Sequence, residues 1–391
     1  MNRTRRQLLL TGTTLPAALY GVPGVAHSTS TPAAAPAGGR GLAQFPPQVP
    51  RQLVFPRDYG AHPDTRIEWW YLTGLLDAAD RDPAKAIGVQ VTFFRLGTGI
   101  APENPSRFAA QELVLAHAAI ADPARGALLH DERLARTGFG LAWAATDDTN
   151  VGVDHWSLSR SPAQGSYHAQ VSSSGFTLDL TATPTQALIL QGDGGYSRKG
   201  GNATDQPAAS FYYSEPQLAL RARIRTDGRE EERSGLGWLD HEWSSTLLPP
   251  QAAGWDWGGY NLADGSALTV FRIRAAVGET AGQTVHSYAC LRVPGMRPAI
   301  YPQAQIAFTP LQYWTSPRTR ARYPVAQSIQ AGSRVFESHP IMPDQEYDAR
   351  NAGAIAYWEG ASLLHENGRL VGRGYLELTG YSGDAFVGRG S

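Results

Sequence analysis

Tryptophan and acidic residues lie close together in two parts of the chain, and this combination could bind and protonate an apolar molecule. Between residues 238 and 260 the group comprises Trp238, Asp240, His241, Glu242, Trp243, Trp255, Asp256, Trp257 and Tyr260. Nearer the N-terminus it comprises His62, Glu68, Trp69, Trp70 and Tyr71. Aromatic walls around a few polar groups are typical of small-molecule pockets. A carboxyl group in such a wall loses its hydration, so its pKa rises and it can act as a general acid near neutral pH.

The same residues have a plainer interpretation as the filling of a core. Trp is bulky, and a buried indole N–H is commonly bonded to a carboxylate. Under that interpretation the acids form hydrogen bonds that join neighbouring strands, and the residues form no ligand pocket.

Three potential metal ligands stand in a row in Asp240-His241-Glu242. Successive residues of a strand point to alternate faces, so Asp240 and Glu242 would share a face that His241 leaves. The second histidine of a zinc-protease helix is missing, because position 245 is Ser245. We predict no metal and no cofactor, although Asp240 and Glu242 with a third oxygen ligand would suit calcium or magnesium.

Two glycine-rich patterns resemble known motifs but lack their context. Gly195-Tyr196-Ser197-Arg198-Lys199-Gly200 has the spacing G-x-S-x-x-G, which is not that of a nucleophile elbow. The glycines between residues 192 and 201 precede no helical pattern that could hold a pyrophosphate. We expect neither a serine hydrolase nor a dinucleotide-binding enzyme.

These candidate groups must be positioned by β-strands. Apolar residues alternate with polar ones over 176–181 and over 218–225, where Arg221, Arg223 and Arg225 interleave with aliphatic residues. Such alternation puts apolar side chains inside a barrel and guanidinium groups in water. Turn dipeptides such as Asp227-Gly228 are frequent, and no long helical period occurs. The pattern predicts an all-β protein.

Two stretches of the chain have similar sequence patterns, and this similarity predicts two domains of one architecture. Glu68-Trp69-Trp70-Tyr71 opens a pair of strands that ends at Arg95, and Asp256-Trp257 opens a pair that ends at Arg272. The length of 391 residues also exceeds one typical core. We place the N-terminal domain at 53–228 and the C-terminal domain at 229–391, divided in a polar, turn-rich segment.

Charge and cysteine content exclude several classes of protein. Lys and Arg total 34 against 35 for Asp and Glu, so there is no basic field for nucleic acid and we predict no such partner. A single cysteine, Cys290, excludes an internal disulfide and a zinc site built on several thiolates.

The N-terminus resembles an export signal. Arg5 and Arg6 precede a modest apolar run that is too short to span a bilayer, and small residues at 24–26 suit cleavage. We predict a twin-arginine signal peptide over 1–26 and a flexible Ala/Pro-rich leader over 27–52. The mature chain is then expected to be periplasmic or secreted, with no membrane span, after contact with the twin-arginine translocase. A general secretory signal or a short membrane anchor is the alternative.

Several sequence blocks from about residue 55 to the C-terminus resemble the AttH/CrtC-like lipocalin family, which includes carotenoid 1,2-hydratase. They are Glu68-Trp69-Trp70-Tyr71-Leu72-Thr73-Gly74, Tyr212-Tyr213-Ser214, Gly237-Trp238-Leu239-Asp240-His241-Glu242-Trp243, Gly254-Trp255-Asp256-Trp257, Tyr357-Trp358-Glu359-Gly360 and Gly372-Arg373-Gly374-Tyr375-Leu376-Glu377-Leu378. The resemblance implies two lipocalin-like antiparallel β-barrels in tandem. One departure is Gln217, where the family pattern has arginine.

The hydratase chemistry of that family implies roles for residues of this chain. An acid protonates a trisubstituted alkene, a tertiary cation forms and water adds, without a cofactor. The positions that resemble the family's catalytic residues are His241, Trp243 and Asp256, with Asp256 as proton donor and His241 holding water. Asp240 or Glu242 would serve equally well as the proton donor in place of Asp256.

We therefore expect hydration, or related hydrolytic chemistry, of an isoprenoid or lipid-like molecule. The predicted catalytic residues are Asp256, His241, Trp243 and Asp240. The predicted ligand-binding residues are Glu68, Trp69, Trp70, Glu242, Trp255, Trp257 and Tyr260. The alternatives are a non-catalytic periplasmic carrier of an apolar ligand and a structural envelope protein, which would have no closed apolar cavity.

Overall fold

The computed structural model describes residues 45–101, 103–200, 208–246, 248–276, 281–350 and 356–383. The predicted signal peptide over 1–26 lies outside the described residues, and so does the predicted leader as far as residue 44. Residues 45–52 are described and contain no helix or strand. No helix in these ranges is long and apolar enough to cross a membrane.

The described residues form strands joined by turns, with 3-10 helices at Arg57–Tyr59, Pro83–Lys85 and Gln303–Gln305. The first sheet contains β1 Ile67–Leu76, β2 Ile87–Gly97, β3 Glu112–Asp122, β4 Ala127–Arg136, β5 Ala142–Ala144, β6 Asn150–Val153, β7 Trp156–Arg160, β8 Tyr167–Ser172, β9 Phe176–Thr183, β10 Ile189–Leu190, β11 Tyr196–Arg198, β12 Ala209–Thr226 and β13 Arg229–Thr246. Its order is β4-β3-β2-β1-β13-β12-β9-β8-β7-β6-β5, and β10 and β11 pair with β12.

The second sheet contains β14 Ala252–Leu262, β15 Ala267–Ala275, β16 Thr284–Arg292, β17 Ala299–Tyr301, β18 Ile306–Thr315, β19 Arg322–Ala331, β20 Arg334–Pro340, β21 Glu346–Asp348, β22 Ala356–Glu366 and β23 Arg369–Leu378. Its order is β17-β16-β15-β14-β23-β22-β20-β19-β18, and β21 pairs with β22. The first sheet curls into a nearly closed barrel and the second into a half-barrel. The predicted all-β fold of tandem lipocalin-like barrels is confirmed.

Alternating burial explains why these segments are strands. Along β9 the apolar residues are buried while their polar neighbours are partly exposed, and in β12 the guanidinium groups of Arg221, Arg223 and Arg225 face water. Each such strand buries one face against the interior of its sheet, where apolar burial contributes most of the stability.

The division of the chain differs from the predicted one. Residues 228 and 229 lie at the turn between β12 and β13, and β13 pairs with β1 and β12 in the first sheet. The first sheet therefore extends to Thr246 and the second begins at Ala252. The polar turn that suggested a boundary joins two long strands of one hairpin.

The two sheets belong to one compact unit and contact each other through their outer faces. Tyr71, Trp238, Trp257, Phe271 and Tyr375, which come from both sheets, share one hydrophobic cluster. A Cβ atom on Gly88 would lie 2.6 Å from the Cβ of Ala361, so glycine permits this close approach. Among the described residues, strand alternation thus gives three interior regions: one inside each curled sheet and one between the sheets.

Gln217, the residue that departs from the family pattern, helps to join the sheets. It lies at a bulge of β12 with φ of 56°, and its Nε2 donates to the carbonyl oxygens of Leu262 at 3.0 Å and Ser266 at 2.9 Å. Its backbone N–H donates to Asn261 Oδ1 at 2.7 Å. The amide side chain therefore satisfies backbone groups of the second sheet.

Candidate active site

A cavity of about 230 Å³ lies between the two sheets. Its apolar wall includes Trp69, Phe94, Leu115, Trp255, Trp257 and Phe271. Strand alternation directs these side chains outward from their own sheets and towards the facing sheet. Four carboxyl groups also line the cavity, two from each sheet: Asp240, Glu242, Glu359 and Glu377.

Glu359 and Glu377 are directly opposite each other on β22 and β23. Glu359 is buried and accepts a hydrogen bond from the hydroxyl of Tyr71, across the sheet interface. Burial, and next the nearby Glu377, raises the pKa of Glu359 well above its usual range. Burial also raises the pKa of Glu377 to about 8, in spite of a hydrogen bond from Trp255, and the charges of Asp240 and Glu242 add to this shift. This carboxyl pair therefore carries a proton at neutral pH.

Asp240 faces that pair from the first sheet. Its carboxylate accepts hydrogen bonds from Trp238 Nε1 at 2.7 Å, from Tyr212 Oη at 2.8 Å and from the hydroxyl of Ser214. Burial raises the pKa of Asp240 to about 7, although all three bonds oppose that shift. Tyr212 in turn accepts from Trp257 Nε1 at 3.0 Å, so the position of this carboxylate depends on both sheets.

Glu242 is held in an ion pair at the same wall. Lys199 Nζ lies 2.7 Å from Glu242 Oε1, both side chains are buried, and Ser210 donates a further hydrogen bond. The Lys199 ammonium also lies 4.2 Å from the centroid of the Phe271 ring. The negative charge of Glu242 adds to the raised pKa of Glu377.

His241 and Trp243 point the other way, into the first barrel, together with Glu68 and Trp70. Glu68 Oε1 bonds His62 Nδ1 at 2.7 Å and His241 Nε2 at 2.9 Å. Glu68 Oε2 accepts from Arg95 Nε at 2.8 Å. The ring of Trp243 stacks on that of His62, with centroids 3.8 Å apart.

The charges in this barrel network are complementary. Burial alone would raise the pKa of Glu68, but His62, His241 and Arg95 hold it well below its usual range. The pKa of His62 is raised because the carboxylates of Glu68 and Asp58 outweigh its burial. Burial lowers the pKa of His241 to about 4, so its ring is neutral at pH 7. The network is thus fully paired inside a closed core.

A metal ion would have to compete with those bonds. One ligand atom each of His62, Glu68 and His241 lies within 4.8 Å of the others, which is close enough to share a cation. However, Glu68 also bonds the guanidinium of Arg95, whose positive charge disfavours a cation beside it. Hydrogen bonding accounts for this cluster without a metal.

Asp256 and Tyr260 lie in the third interior, inside the second sheet. Asp256 forms ion pairs with Arg272 at 2.7 Å and Arg274 at 2.9 Å, and accepts from Tyr381 Oη at 2.9 Å. Both carboxylate oxygens of Asp256 are thus bonded inside the second sheet, and Asp256 does not line the cavity. Tyr260 donates to Ser338 Oγ at 2.8 Å within the core.

The structure therefore divides the predicted site residues among the three interiors. Trp69, Asp240, Glu242, Trp255 and Trp257 line the cavity between the sheets. His241, Trp243, Glu68 and Trp70 lie in the first barrel, and Asp256 and Tyr260 lie in the second sheet, so His241, Asp240 and Asp256 do not meet. Sequence reasoning missed the cavity residues Lys199, Glu359 and Glu377. The available signal was an acid two residues after a tyrosine on a strand, in 357–359 and 375–377.

The protonated acids of the cavity predict a pH-dependent stability. Glu377 and Asp240 keep protons in the folded state up to about pH 8 and 7, whereas their unfolded values are 4.5 and 3.8. Folding thus takes up protons between these limits, so the free energy of unfolding should fall as pH rises, by up to about 1.4 kcal/mol per pH unit for each group. Urea unfolding of the wild type and of Glu377→Gln, compared at each pH between about 5 and 8, measures the part of this slope due to Glu377, because the histidines contribute equally to both proteins. Glu377→Gln should make the slope shallower; an unchanged slope would contradict the assignment.

Comparisons with known proteins agree with this fold. A family model described as AttH-like matches residues 46–381. A crystal structure of a protein assigned as AttH, from Nitrosomonas europaea, is 44% identical, covers 86% of this chain and 99% of that chain, and has a TM-score of 0.78. Kievitone hydratase from Nectria haematococca is 14% identical, with coverage of 86% and 98% and a TM-score of 0.60. CghA is 14% identical, with coverage of 89% and 98% and a TM-score of 0.50. The last two show a shared fold alone, and a comparison with curated protein sequences found no match.

Proposed function

The chain belongs to the AttH-like family, and we propose that it adds water to an apolar, alkene-containing small molecule in the cavity between its two sheets. The observation that supports this proposal is a set of carboxylic acids with raised pKa in an aromatic wall. Acids that stay protonated near neutral pH are what protonation of an alkene requires. An isoprenoid with a trisubstituted alkene is the substrate class that fits this chemistry.

In the proposed mechanism Glu377 is the proton donor. A proton passes from its carboxyl oxygen to the less substituted alkene carbon, and a tertiary cation forms at the other carbon. Indole faces of Trp255 and Trp257 stabilise this cation by about 0.5–2 kcal/mol each. A water oxygen then bonds the cation and releases a proton to the ionised Asp240, from which it returns to Glu377. The net reaction is alkene plus water to tertiary alcohol.

The pKa values of the two acids suit these opposite roles. Three hydrogen bonds favour the ionised form of Asp240 against its burial, whereas the charges of Asp240 and Glu242 add to burial in raising the pKa of Glu377. Environments that separate the pKa values of neighbouring carboxyl groups are a common basis for acid and base roles. Kievitone hydratase is a hydratase by name, but at 14% identity its likeness to this chain shows only a shared fold.

A carrier of an apolar ligand is the competing function, and a hydration assay separates the two. We would incubate the protein with geraniol, which has a terminal trisubstituted alkene, in water enriched in oxygen-18. The proposal expects a tertiary alcohol that carries the heavy oxygen. Bound geraniol that is recovered unchanged would favour the carrier, and no binding of any isoprenoid, alcohol or hydrocarbon, would refute both.

We propose further that the chain is exported by the twin-arginine route to the periplasm or beyond. The support is the sequence pattern of Arg5 and Arg6 before an apolar run. Replacing both residues by Lys should keep the chain in the cytoplasm of its own cells, measured by fractionation. Equal export of the Lys variant would contradict this route, and an unrelated Arg-to-Lys change at Arg223 is the control.

A further inference from the structure

Two buried polar atoms in the cavity wall have no hydrogen-bond partner among the described residues: His117 Nε2 and Gln90 Oε1. Both residues line the cavity between the sheets. Their exposed fractions are only 3% and 2%. An unpaired buried polar atom costs stability, so such atoms at a cavity point to a ligand group that pairs with them.

The two residues are held together by one hydroxyl group. Gln90 Nε2 donates to Tyr357 Oη at 3.2 Å and to Thr92 Oγ1 at 3.2 Å. Tyr357 Oη lies 2.8 Å from His117 Nδ1. Because Tyr357 already accepts from Gln90, its own proton is free to bond Nδ1. That assignment puts the imidazole proton on Nε2.

His117 is also fixed in orientation and neutral. Its ring stacks on that of Tyr347, with centroids 4.5 Å apart, and meets the edge of Phe94 at 5.3 Å. Burial, and next the nearby His130, lowers the pKa of His117 to about 3. Two residues that line the cavity thus carry one unpaired N–H donor, on His117, and one unpaired carbonyl acceptor, on Gln90.

An unpaired donor and an unpaired acceptor, on two side chains that both contact the Tyr357 hydroxyl, are the complement of a ligand hydroxyl group, which can accept from the first and donate to the second. We propose that His117 and Gln90 bind an alcohol or phenol group of the substrate, so that the substrate is an amphiphile with one hydroxylated end. This inference rests on the proposed function only in taking the cavity as the ligand site. Its apolar part would lie along the aromatic wall, towards Asp240 and Glu377.

Binding of a matched pair of probes tests the hydroxyl subsite. The probes are geraniol and deoxygeraniol, the hydrocarbon in which hydrogen replaces the hydroxyl, and quenching of the cavity tryptophans reports the dissociation constants. We expect the full-length wild-type protein to bind geraniol about tenfold or more tightly than deoxygeraniol. A wholly apolar cavity would prefer the hydrocarbon.

Variants separate the subsite from the rest of the cavity. Gln90→Leu, which keeps the approximate volume, should remove most of that tenfold preference, whereas Leu115→Met changes an apolar wall position and should preserve it. Should Gln90→Leu fail to fold, geranyl methyl ether on the wild-type protein makes the same test, because it cannot donate to Gln90 and should bind less tightly than geraniol.

The outcomes distinguish this inference from the proposed function. Equal affinity for geraniol and deoxygeraniol, or a preference that Gln90→Leu leaves intact, overturns the hydroxyl subsite while the cavity remains a ligand site. Failure of both probes to bind the wild-type protein overturns the proposed function, and the subsite with it.

Discussion

Replacing Glu377 by Gln should lower the rate of alkene hydration by roughly 100- to 10,000-fold, the usual range for loss of a general acid. Glutamine has nearly the same shape and can keep the contact with Trp255, but it has no proton of suitable acidity to give. Ligand binding should therefore change little while turnover is lost. The rate of formation of the tertiary alcohol, with binding measured in parallel, checks both expectations.

Glu337→Gln is the matched control, because Glu337 is an exposed residue of β20 that does not line the cavity. It should retain full activity. The wild-type rate should also be bell-shaped in pH, since activity requires an ionised Asp240, with a pKa of about 7, and a protonated Glu377, with a pKa of about 8. Unchanged turnover in Glu377→Gln would remove this residue from the mechanism.

Replacing Arg95 by Met should destabilise the protein by about 3–5 kcal/mol, the cost of removing one partner from a buried ion pair. Arg95 and Glu68 are both fully buried, and their atoms lie 2.8 Å apart. The guanidinium also donates to the carbonyl oxygens of His62 at 2.6 Å and Thr65 at 2.8 Å. Without it, the Glu68 carboxylate and both carbonyl groups lose a donor. Urea unfolding at constant pH measures the loss.

Arg334→Met provides the matched control for Arg95. Arg334 makes two bonds of 2.7 Å to Glu366, but both side chains are partly exposed, 29% and 21%. Water can replace such a partner, so this change should cost no more than about 1 kcal/mol. A cost for Arg95→Met as small as that for Arg334→Met would show that the barrel network adds little to stability.

The sequence predicts the strands well because their alternation records which face is buried. The same alternation separates Asp240 and Glu242 from His241, although the three are adjacent in sequence. Which of the two faces lines a cavity cannot be predicted from one strand. The position of the cavity depends on contact between the outer face of the first sheet and the second sheet. One such contact joins Tyr71 to Glu359, which is 288 positions away in sequence.

The predicted acid, Asp256, illustrates the same difficulty. Its sequence neighbours Trp255 and Trp257 line the cavity, but Asp256 itself faces the opposite way, towards Arg272 and Arg274. Glu377 was not predicted as a site residue for a related reason. Its proposed role depends on the facing carboxylates of the first sheet, which lie far away in sequence. The predicted boundary between residues 228 and 229 lies at a hairpin turn of the first sheet, and a polar hairpin turn has the same composition as a linker.

The position of a bound isoprenoid tests the central claim most directly. A geraniol analogue that carries a diazirine can be photolysed in the presence of the full-length protein, and the labelled residues can be located by tandem mass spectrometry. We expect the label on residues of the cavity between the sheets, such as Phe94, Trp257 and Phe271. Label on residues inside the first barrel, such as Phe93, Trp156 and Tyr213, would contradict the assignment of the cavity as the active site.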